Sequence, residues 1–309
     1  MPTPTRATTD RFTSVGVENA YRTTFSKRPV LGEREVSTND FPSDDFQLIQ
    51  RIFTERGWEK LTHASPTLCV EVVCEFYLNI AHFNLDEHSI TSIVRGTQIV
   101  VSPAVLRDLF DLPEVETPLY PYKGMEAPTK TAMRNLFVGL DGPKWTAKTH
   151  RLPLNHMLPQ FRLLAKIVLT NLWPISRHTE ITLERAYFMY VLATRVSIDF
   201  PCHVIDIIHR SHVEKRQNHP FGSLITKLAM KAKVPLWANE PTMKMLGSIS
   251  TLTVVKSAAV LTKKRPPTNE SASSTVEPFV PMTQVLEQIP FCLKRLIYIL
   301  QNGKKVSPS

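Results

Sequence analysis

The sequence predicts a mainly α fold: a multi-helix globular domain with one small β-hairpin, a disordered N-terminal arm and a flexible C-terminal tail. Apolar residues recur at helical spacing through most of the chain between residues 41 and 246. One short stretch, 90–101, alternates apolar and polar residues instead. Residues 1–40 are rich in Thr, Arg and Pro and lack a sustained period, and residues 262–281 are rich in Pro, Ser and Thr; both compositions are typical of segments that form no core.

Two helices are predicted before the hairpin. Ser43 is a suitable N-cap for the first, and Gly57 is a suitable residue to end it. Ser65-Pro66 predicts the start of the second, because proline is tolerated at the first helical position. An apolar stripe repeats every four residues along this second helix. Its acidic residues, Glu71 and Glu75, are therefore predicted on an exposed face.

The hairpin and a short helix follow. Residues 90–101 are predicted to form two strands joined by a turn at Arg95-Gly96. Ser102-Pro103 then predicts a helix start, and Leu112-Pro113 its end. Residues 114–128 contain three prolines and a glycine, so they are predicted to be a surface loop.

The second half is predicted to be helical up to Lys231, which gives about eight helices in total. The predicted helices are about Thr129–Val138, Pro153–Leu172, Thr182–Val196, one from Pro201, and Phe221–Lys231. The chain then divides into an arm (1–40), a helical domain (41–246) and a weakly structured tail (247–309). The tail contains residues 247–261, which show no assignable pattern, a linker at 262–281 and a short helix at about 291–300.

Composition restricts the compartment and the partners. The four cysteines form no CxxC pair, and no secretory signal or membrane-length apolar run is visible, so we expect an intracellular protein without a membrane partner. Residues 41–125 carry six basic and twelve acidic groups (−6), whereas residues 126–246 carry seventeen and eight (+9). This asymmetry predicts head-to-tail self-association or a polyanion partner; the alternative is a solvated lysine- and arginine-rich surface.

The candidate nucleic-acid contacts lie in the basic half. They are Arg210, Lys215, Arg216, Lys227, Lys231 and Lys233, and four histidines (His203, His209, His212 and His219) extend the same region. Such a cationic face suffices for phosphate contact. However, no helix-turn-helix or RNA-binding signature supplies base recognition. The Lys263–Pro266 stretch resembles a nuclear localisation signal, but three basic residues in a linker are common, so nucleus and cytoplasm are not distinguished.

No catalytic, cofactor or metal site is predicted. A stripe of Cys202, Asp206 and His209 on the helix from Pro201, with His203 and His212 nearby, lacks zinc-ligand spacing, so we interpret it as a polar outer face. The chain also lacks GxxxxGK[ST], GxGxxG and GxSxG motifs. We therefore expect a protein that is not an enzyme.

Several motifs occur in an order that is specific to one family. They are RGWEKL, EFYLNI, VRGTQIVVSPAVLRDLFDLP, LTNLWPISRHTEITLERAYFMYVLAT and HPFGSLITKLAMKAKVP. With them the chain resembles the putative plant transposon protein domain, found in retrotransposon-derived, gag-like plant proteins, from about residue 41 to 235. The resemblance implies an α-rich domain with no established catalytic residues.

Two functions remain open at this point. The first is a non-enzymatic, retrotransposon-derived plant protein that acts through protein–protein association. The second is a nucleic-acid-binding module that uses the basic second half. The chain lacks the Asp-Ser/Thr-Gly of a retroviral-type protease and the cysteine spacing of a zinc knuckle, so neither of these retroelement activities is expected.

Overall fold

The computed structural model describes residues 12, 14–37, 47–63, 67–84, 86–121, 127–140, 142, 144–145, 150–214, 218–237, 240–244, 246–250 and 252–253. Within them the α-helices are α1 (Val15–Thr23), α2 (Gln47–Arg56), α3 (Val70–Leu78), α4 (Pro103–Phe110), α5 (Lys130–Val138), α6 (Pro159–Ile167), α7 (Leu183–Ala193), α8 (Phe200–Val213) and α9 (Gly222–Lys231). A π-helical turn, Val168–Leu172, continues α6, and 3₁₀ turns cover Phe25–Lys27, Glu59–Thr62 and Leu154–His156.

Seven strands form three small antiparallel sheets in these ranges. The strands are β1 (Thr67–Cys69), β2 (Ile80–Asn84), β3 (Ser89–Val94), β4 (Thr97–Val101), β5 (Arg151–Pro153), β6 (Glu180–Thr182) and β7 (Thr242–Lys244). The sheets have the orders β2-β3-β4, β1-β7 and β5-β6. The prediction of one hairpin in a mainly α fold is therefore wrong: the domain contains both helices and three sheets.

The predicted hairpin itself is confirmed as β3 and β4. Its turn residues Arg95 and Gly96 have φ values of 52° and 74°. Positive φ at both central residues defines the type I′ turn, whose twist matches that of antiparallel strands. Strand β2 adds a third strand to this hairpin.

The other two sheets were missed because their strands are only three residues long and show no alternation. Where a helix is predicted from Ser65-Pro66, Thr67–Cys69 pairs with Thr242–Lys244, and α3 begins at Val70. Where a helix is predicted from Pro153, Arg151–Pro153 pairs with Glu180–Thr182, and α6 begins at Pro159. In both places a strand distant in sequence supplies the hydrogen bonds that a local helix would have made.

Part of the predicted disordered arm is folded. Helix α1 is capped by Ser14, whose hydroxyl accepts a hydrogen bond from the Val17 amide at 3.3 Å. Residues 29–37, which we call the strap, run extended across the domain; Val30 forms a bridge with His219 and Val36 one with Ile249. Most of residues 1–13, the linker 262–281 and the predicted helix at 291–300 lie outside the described residues.

The core is shared by helices from both halves of the chain. Fully buried apolar side chains come from α2, α3, α6, α7, α8 and α9, and they include Ile49, Val72, Phe161, Phe188, Ile205 and Ile225. Trp58 is also buried, and the centre of its ring lies 4.8 Å from that of Phe200. No helix among the described residues has both the length and the apolar character that crossing a membrane requires.

Candidate functional site

A cleft opens where the strap crosses the domain beside α4, α8 and α9. Its apolar walls are formed mainly by Leu106, Phe110, Phe200, Val204 and Leu224, and its polar side by Glu33, His63, Asn171, Ser223 and Lys227. The cavity measures about 30 Å³ and is partly open to solvent. It can receive one apolar side chain.

Glu33 of the strap caps helix α9. Its two carboxylate oxygens accept hydrogen bonds from the backbone amides of Ser223 (2.8 Å) and Leu224 (3.1 Å). The residue that precedes this helix, Phe221, has a positive φ of 57° and offers no side-chain cap. Burial raises the pKa of Glu33, and the amide hydrogen bonds oppose this rise. The carboxylate therefore satisfies amide groups that the helix leaves free at its N-terminus.

Asn171 fastens the strap from the other side of the cleft. Its side-chain oxygen accepts a hydrogen bond from the Arg34 amide at 3.2 Å, and its amide nitrogen donates one to the Arg34 carbonyl at 2.6 Å. The π-helical turn that follows α6 carries this residue. Such turns often occur at functional sites because they redirect side chains out of the regular helix.

Lys227 forms the outer polar edge of the cleft. Its ammonium group donates to the His63 carbonyl at 3.0 Å and lies 5.3 Å from the centre of the Phe110 ring. Burial lowers the pKa of Lys227, and the carboxylates of Glu33 and Glu35 oppose this change. Lys227, one of the predicted nucleic-acid contacts, therefore already makes a hydrogen bond within the domain.

The other candidate nucleic-acid contacts lie in different surroundings. Arg210 of α8 bonds to Glu184 at 3.0 Å and to Glu214 at 3.4 Å, and Lys231 forms an ion pair with Asp108. Lys233, just after α9, is exposed. The structure thus places Lys227, Lys231 and Lys233 near one another in sequence on and after α9, with Arg210 on another helix. Lys215 and Arg216 lie outside the described residues.

Two of the four predicted basic-region histidines are core residues. His203 stacks on Phe188 at 4.4 Å, and burial lowers its pKa to about 3. His219 stacks between Phe25 and Tyr77 at 5.6 and 4.7 Å, and burial lowers its pKa to about 4. Both are neutral at pH 7, so neither adds positive charge to the predicted face.

The polar stripe on α8 is dispersed among separate partners. Asp206 pairs with His88 at 2.8 Å, His209 stacks on Phe83 at 3.8 Å, and the ring of His212 hydrogen-bonds to the Tyr77 carbonyl at 3.0 Å. Burial raises the pKa of the Cys202 thiol to about 12. In the part of the chain that the structure describes, no group of three or more His, Cys, Asp or Glu residues is arranged to hold a metal ion.

Sequence reasoning missed a buried ion cluster around Arg95. Glu75, predicted on an exposed face, is fully buried and accepts hydrogen bonds from the Arg95 guanidinium at 3.2 and 3.3 Å. Arg95 also pairs with Glu240 and lies 3.6 Å from the Trp237 ring. A signal was present, since Glu75 sits between apolar residues in a helix that is apolar on almost every side.

The fold and the cleft define a helix-rich domain with small sheets and an apolar groove beside its strap. The sequence profile of the putative plant retrotransposon-related domain matches residues 54–235. The chain therefore belongs to that family and is a transposon-derived plant protein. Neither a curated protein nor a solved structure matches the chain.

Proposed function

We propose that this transposon-derived chain is a gag-like, non-enzymatic intracellular protein that acts through protein–protein association, with a second copy of itself as the partner. The observation that carries the proposal is the cleft beside the strap. Its apolar walls and small volume suit one aliphatic or aromatic side chain, which is the usual anchor of a protein interface. The described cysteines, Cys69, Cys74 and Cys202, are free thiols, which supports the intracellular location.

The charge distribution supports a second copy as the partner. The −6 and +9 regions of the sequence are complementary, so two copies attract each other when they meet head to tail. Some acidic groups are committed to internal pairs, such as Asp108 with Lys231. Glu87, Glu114 and Glu116, by contrast, lie exposed on loops.

Three groups that catalysis could have used are occupied by other roles. The Cys202 thiol has a pKa raised to about 12, which disfavours the thiolate that a nucleophile requires. The His203 ring has a pKa of about 3 and lies within the core, so it is a poor general base at pH 7. Glu33 is bonded to the amide groups of α9. These features support the absence of an enzymatic role.

Sedimentation velocity tests the association proposal. We expect the full chain to form oligomers whose fraction rises with protein concentration. Their association constant should fall as salt is added, because salt screens the attraction between charges. Replacing Phe110 at the cleft edge by serine should weaken association by about 10-fold or more, as expected for an interface anchor. Leu140→Ser is the matched control, because Leu140 is 55% exposed and does not line the cleft. A monomer at every concentration and salt tested would overturn the proposal.

Nucleic-acid binding by the predicted basic face is the alternative, and it remains a prediction. Its strongest remaining support is the exposed Lys233 close to Lys227 and Lys231 at the end of α9. A filter-binding titration in increasing salt tests it with the double variant Lys227→Gln/Lys233→Gln. Phosphate contact by this face requires the variant to bind more weakly and with a shallower salt dependence. Unchanged binding by the variant would exclude the face.

A further inference from the structure

Three cations lie together where the strap passes α6. Arg162 and Lys166 are four residues apart on α6, so their side chains leave the same face of the helix. The backbone of Arg34 in the strap is hydrogen-bonded to Asn171, in the π-helical turn that continues α6. The charges of Arg34 and Arg162 both act on Lys166. All three side chains are partly buried. This cationic cluster is separate from the predicted basic face on α8 and α9.

The three cations form no ion pair with a carboxylate of the described residues. Residues 142–179, which contain α6, include six lysines and arginines and no acidic residue. The two acids that flank Arg34 are engaged elsewhere, Glu33 with α9 and Glu35 with His63.

The arginines are held in place before any ligand binds. The Arg34 guanidinium donates to the backbone carbonyls of Gly247 (2.7 Å) and Ser248 (3.2 Å). The Arg162 guanidinium donates to those of Asn155 (3.1 Å) and Met157 (3.0 Å). Each guanidinium has five N–H groups, so donors remain on both. The Lys166 ammonium has no hydrogen-bond or ion-pair partner among the described residues and keeps three donors.

Concentrating like charges in a half-buried place is unfavourable unless an anion offsets it. Burial lowers the pKa of Lys166, and the charges of Arg34 and Arg162 lower it further. Burial also lowers the pKa of His178, and the charges of Lys166 and Arg34 add to this effect. A bound anion would remove this repulsion, and fixed guanidinium groups match phosphate oxygens in geometry.

We propose that Arg34, Arg162 and Lys166 form a phosphate-binding site. The phosphate comes either from a nucleic-acid backbone or from a free polyphosphate, and the three cations recognise both through the same oxygens. This site is independent of the association proposed for the cleft. A chain that fails to self-associate can therefore still bind phosphate here.

Fluorescence anisotropy with a labelled single-stranded RNA, in rising salt, measures the affinity of the full chain for a nucleic-acid backbone. Calorimetric titration with inorganic pyrophosphate measures its affinity for a free polyphosphate. Lys166→Gln should weaken binding by about 10-fold, the effect of one lost hydrogen bond to a charged group. It should also reduce the slope of log K against log salt for RNA by about 1. Lys27→Gln is the control, since it removes the same charge from an exposed lysine that belongs neither to the cluster nor to the predicted basic face.

The fold provides an internal check. Lys166→Gln removes a charge that is repelled within the chain, so the thermal midpoint of the variant should equal or exceed that of the wild type. In addition, pyrophosphate should protect Lys166 from acetylation, as measured by mass spectrometry on the wild-type chain. This second readout needs no variant and does not depend on its folding.

Each outcome supports or overturns the site. Weaker binding of RNA or of pyrophosphate by Lys166→Gln, with Lys27→Gln unaffected, supports the site and identifies the phosphate source. The proposal is wrong if Lys166→Gln binds both probes as the wild type does, or if Lys27→Gln weakens binding equally. Binding of polyglutamate at the strength of RNA, without binding of pyrophosphate, would also overturn it, because the site would then select carboxylates.

Discussion

His203 illustrates how burial changes the chemistry of a residue that the sequence places among cations. Its ring lies against Phe188 and at 4.8 Å from Trp173, within a group of aromatic side chains. Burial lowers its pKa first, and the charges of Arg185 and Arg210 lower it further, to about 3. Protonation is therefore unfavourable only in the folded state, which links stability to pH.

The stability of the folded chain should decrease as the pH falls below about 6.5. Between that value, where an unfolded histidine titrates, and about 3, where folded His203 titrates, the unfolded state binds more protons. Each pH unit in this window costs about 1.4 kcal/mol per such histidine. Urea unfolding between pH 7 and pH 5 should show a shallower pH dependence for His203→Phe than for the wild type. His156→Phe, at an exposed position, is the control and should keep the pH dependence of the wild type. The same pH dependence in His203→Phe and the wild type would contradict this account.

Arg95 is the second residue whose surroundings the sequence did not disclose. It leaves the hairpin turn and enters the core between Glu75 and Glu240, and Trp237 covers its guanidinium. Its pKa is raised, because the hydrogen bonds and charges of Glu75 and Glu240 together outweigh the opposing effect of burial. This cluster joins the hairpin, α3 and the segment after α9.

Replacing Arg95 by methionine should destabilise the fold by about 3–5 kcal/mol, because two buried carboxylates would lose their shared cation. Urea unfolding at neutral pH measures the loss. Arg151→Met is the matched control: its pair with Glu180 is partly exposed, so its removal should cost about 1 kcal/mol or less. An equal decrease in the free energy of unfolding in the two variants would show that burial does not make the Arg95 ion pairs more important for stability than the exposed pair of Arg151.

At the scale of elements, the strap and α9 depend on each other. The Gly222 amide donates to the Leu31 carbonyl at 2.8 Å, and Glu33 caps the first turn of α9. Gly222 permits this approach, because a Cβ there would lie 2.6 Å from side-chain atoms of both Leu68 and Val30 and 3.1 Å from the Leu31 carbonyl oxygen. The strap therefore behaves as part of the domain and not as an appended arm.

We expect Gly222→Ala to destabilise the fold by about 1–3 kcal/mol through overpacking. Alanine favours a helix over glycine by about 1 kcal/mol, so a net loss means that the steric term exceeds the gain in helix propensity. Thermal unfolding measures it. Gly247→Ala serves as control, because a Cβ at that glycine would meet no atom of the described residues within 4 Å. A stabilised Gly222→Ala would show that the strap can move aside without cost.

At the scale of the whole molecule, the residues that match the family and the residues that form the folded domain have different boundaries. The match covers residues 54–235, whereas the strap at 29–37 and strand β7 at 242–244 pack onto that region from outside it. Arg34 and Gly247 bring these two outer segments together through a hydrogen bond. The domain is thus closed by chain that precedes and follows its family-defining part.

A fragment of residues 54–235 should be less stable than one of residues 12–253 by several kcal/mol. The shorter fragment lacks Glu33, so the first turn of α9 loses its cap. It also lacks Glu240, so Arg95 keeps only one carboxylate partner, Glu75. Urea unfolding followed by circular dichroism compares the two fragments directly. Equal unfolding midpoints would show that the outer segments add nothing to stability.

The sequence predicted those elements whose signals are local. Ser102 caps α4 through a 3.3 Å hydrogen bond from the Val105 amide, and Thr129 caps α5 through one of 3.1 Å from the Ala132 amide. The turn at Arg95-Gly96 was equally readable, since Gly96 readily adopts a positive φ and the flanking residues alternate between apolar and polar. The order of the motifs also identified the family.

Only the tertiary structure decided where partners distant in the chain would meet. Strand β1 exists because β7, far along the sequence, pairs with it, and Glu75 is buried because Arg95 reaches it from the hairpin turn. His203 is neutral because aromatic rings from other elements enclose it. Helix caps and turns depend on neighbours within four residues, whereas burial and charge pairing depend on the folded chain, so the sequence by itself could determine the former and not the latter.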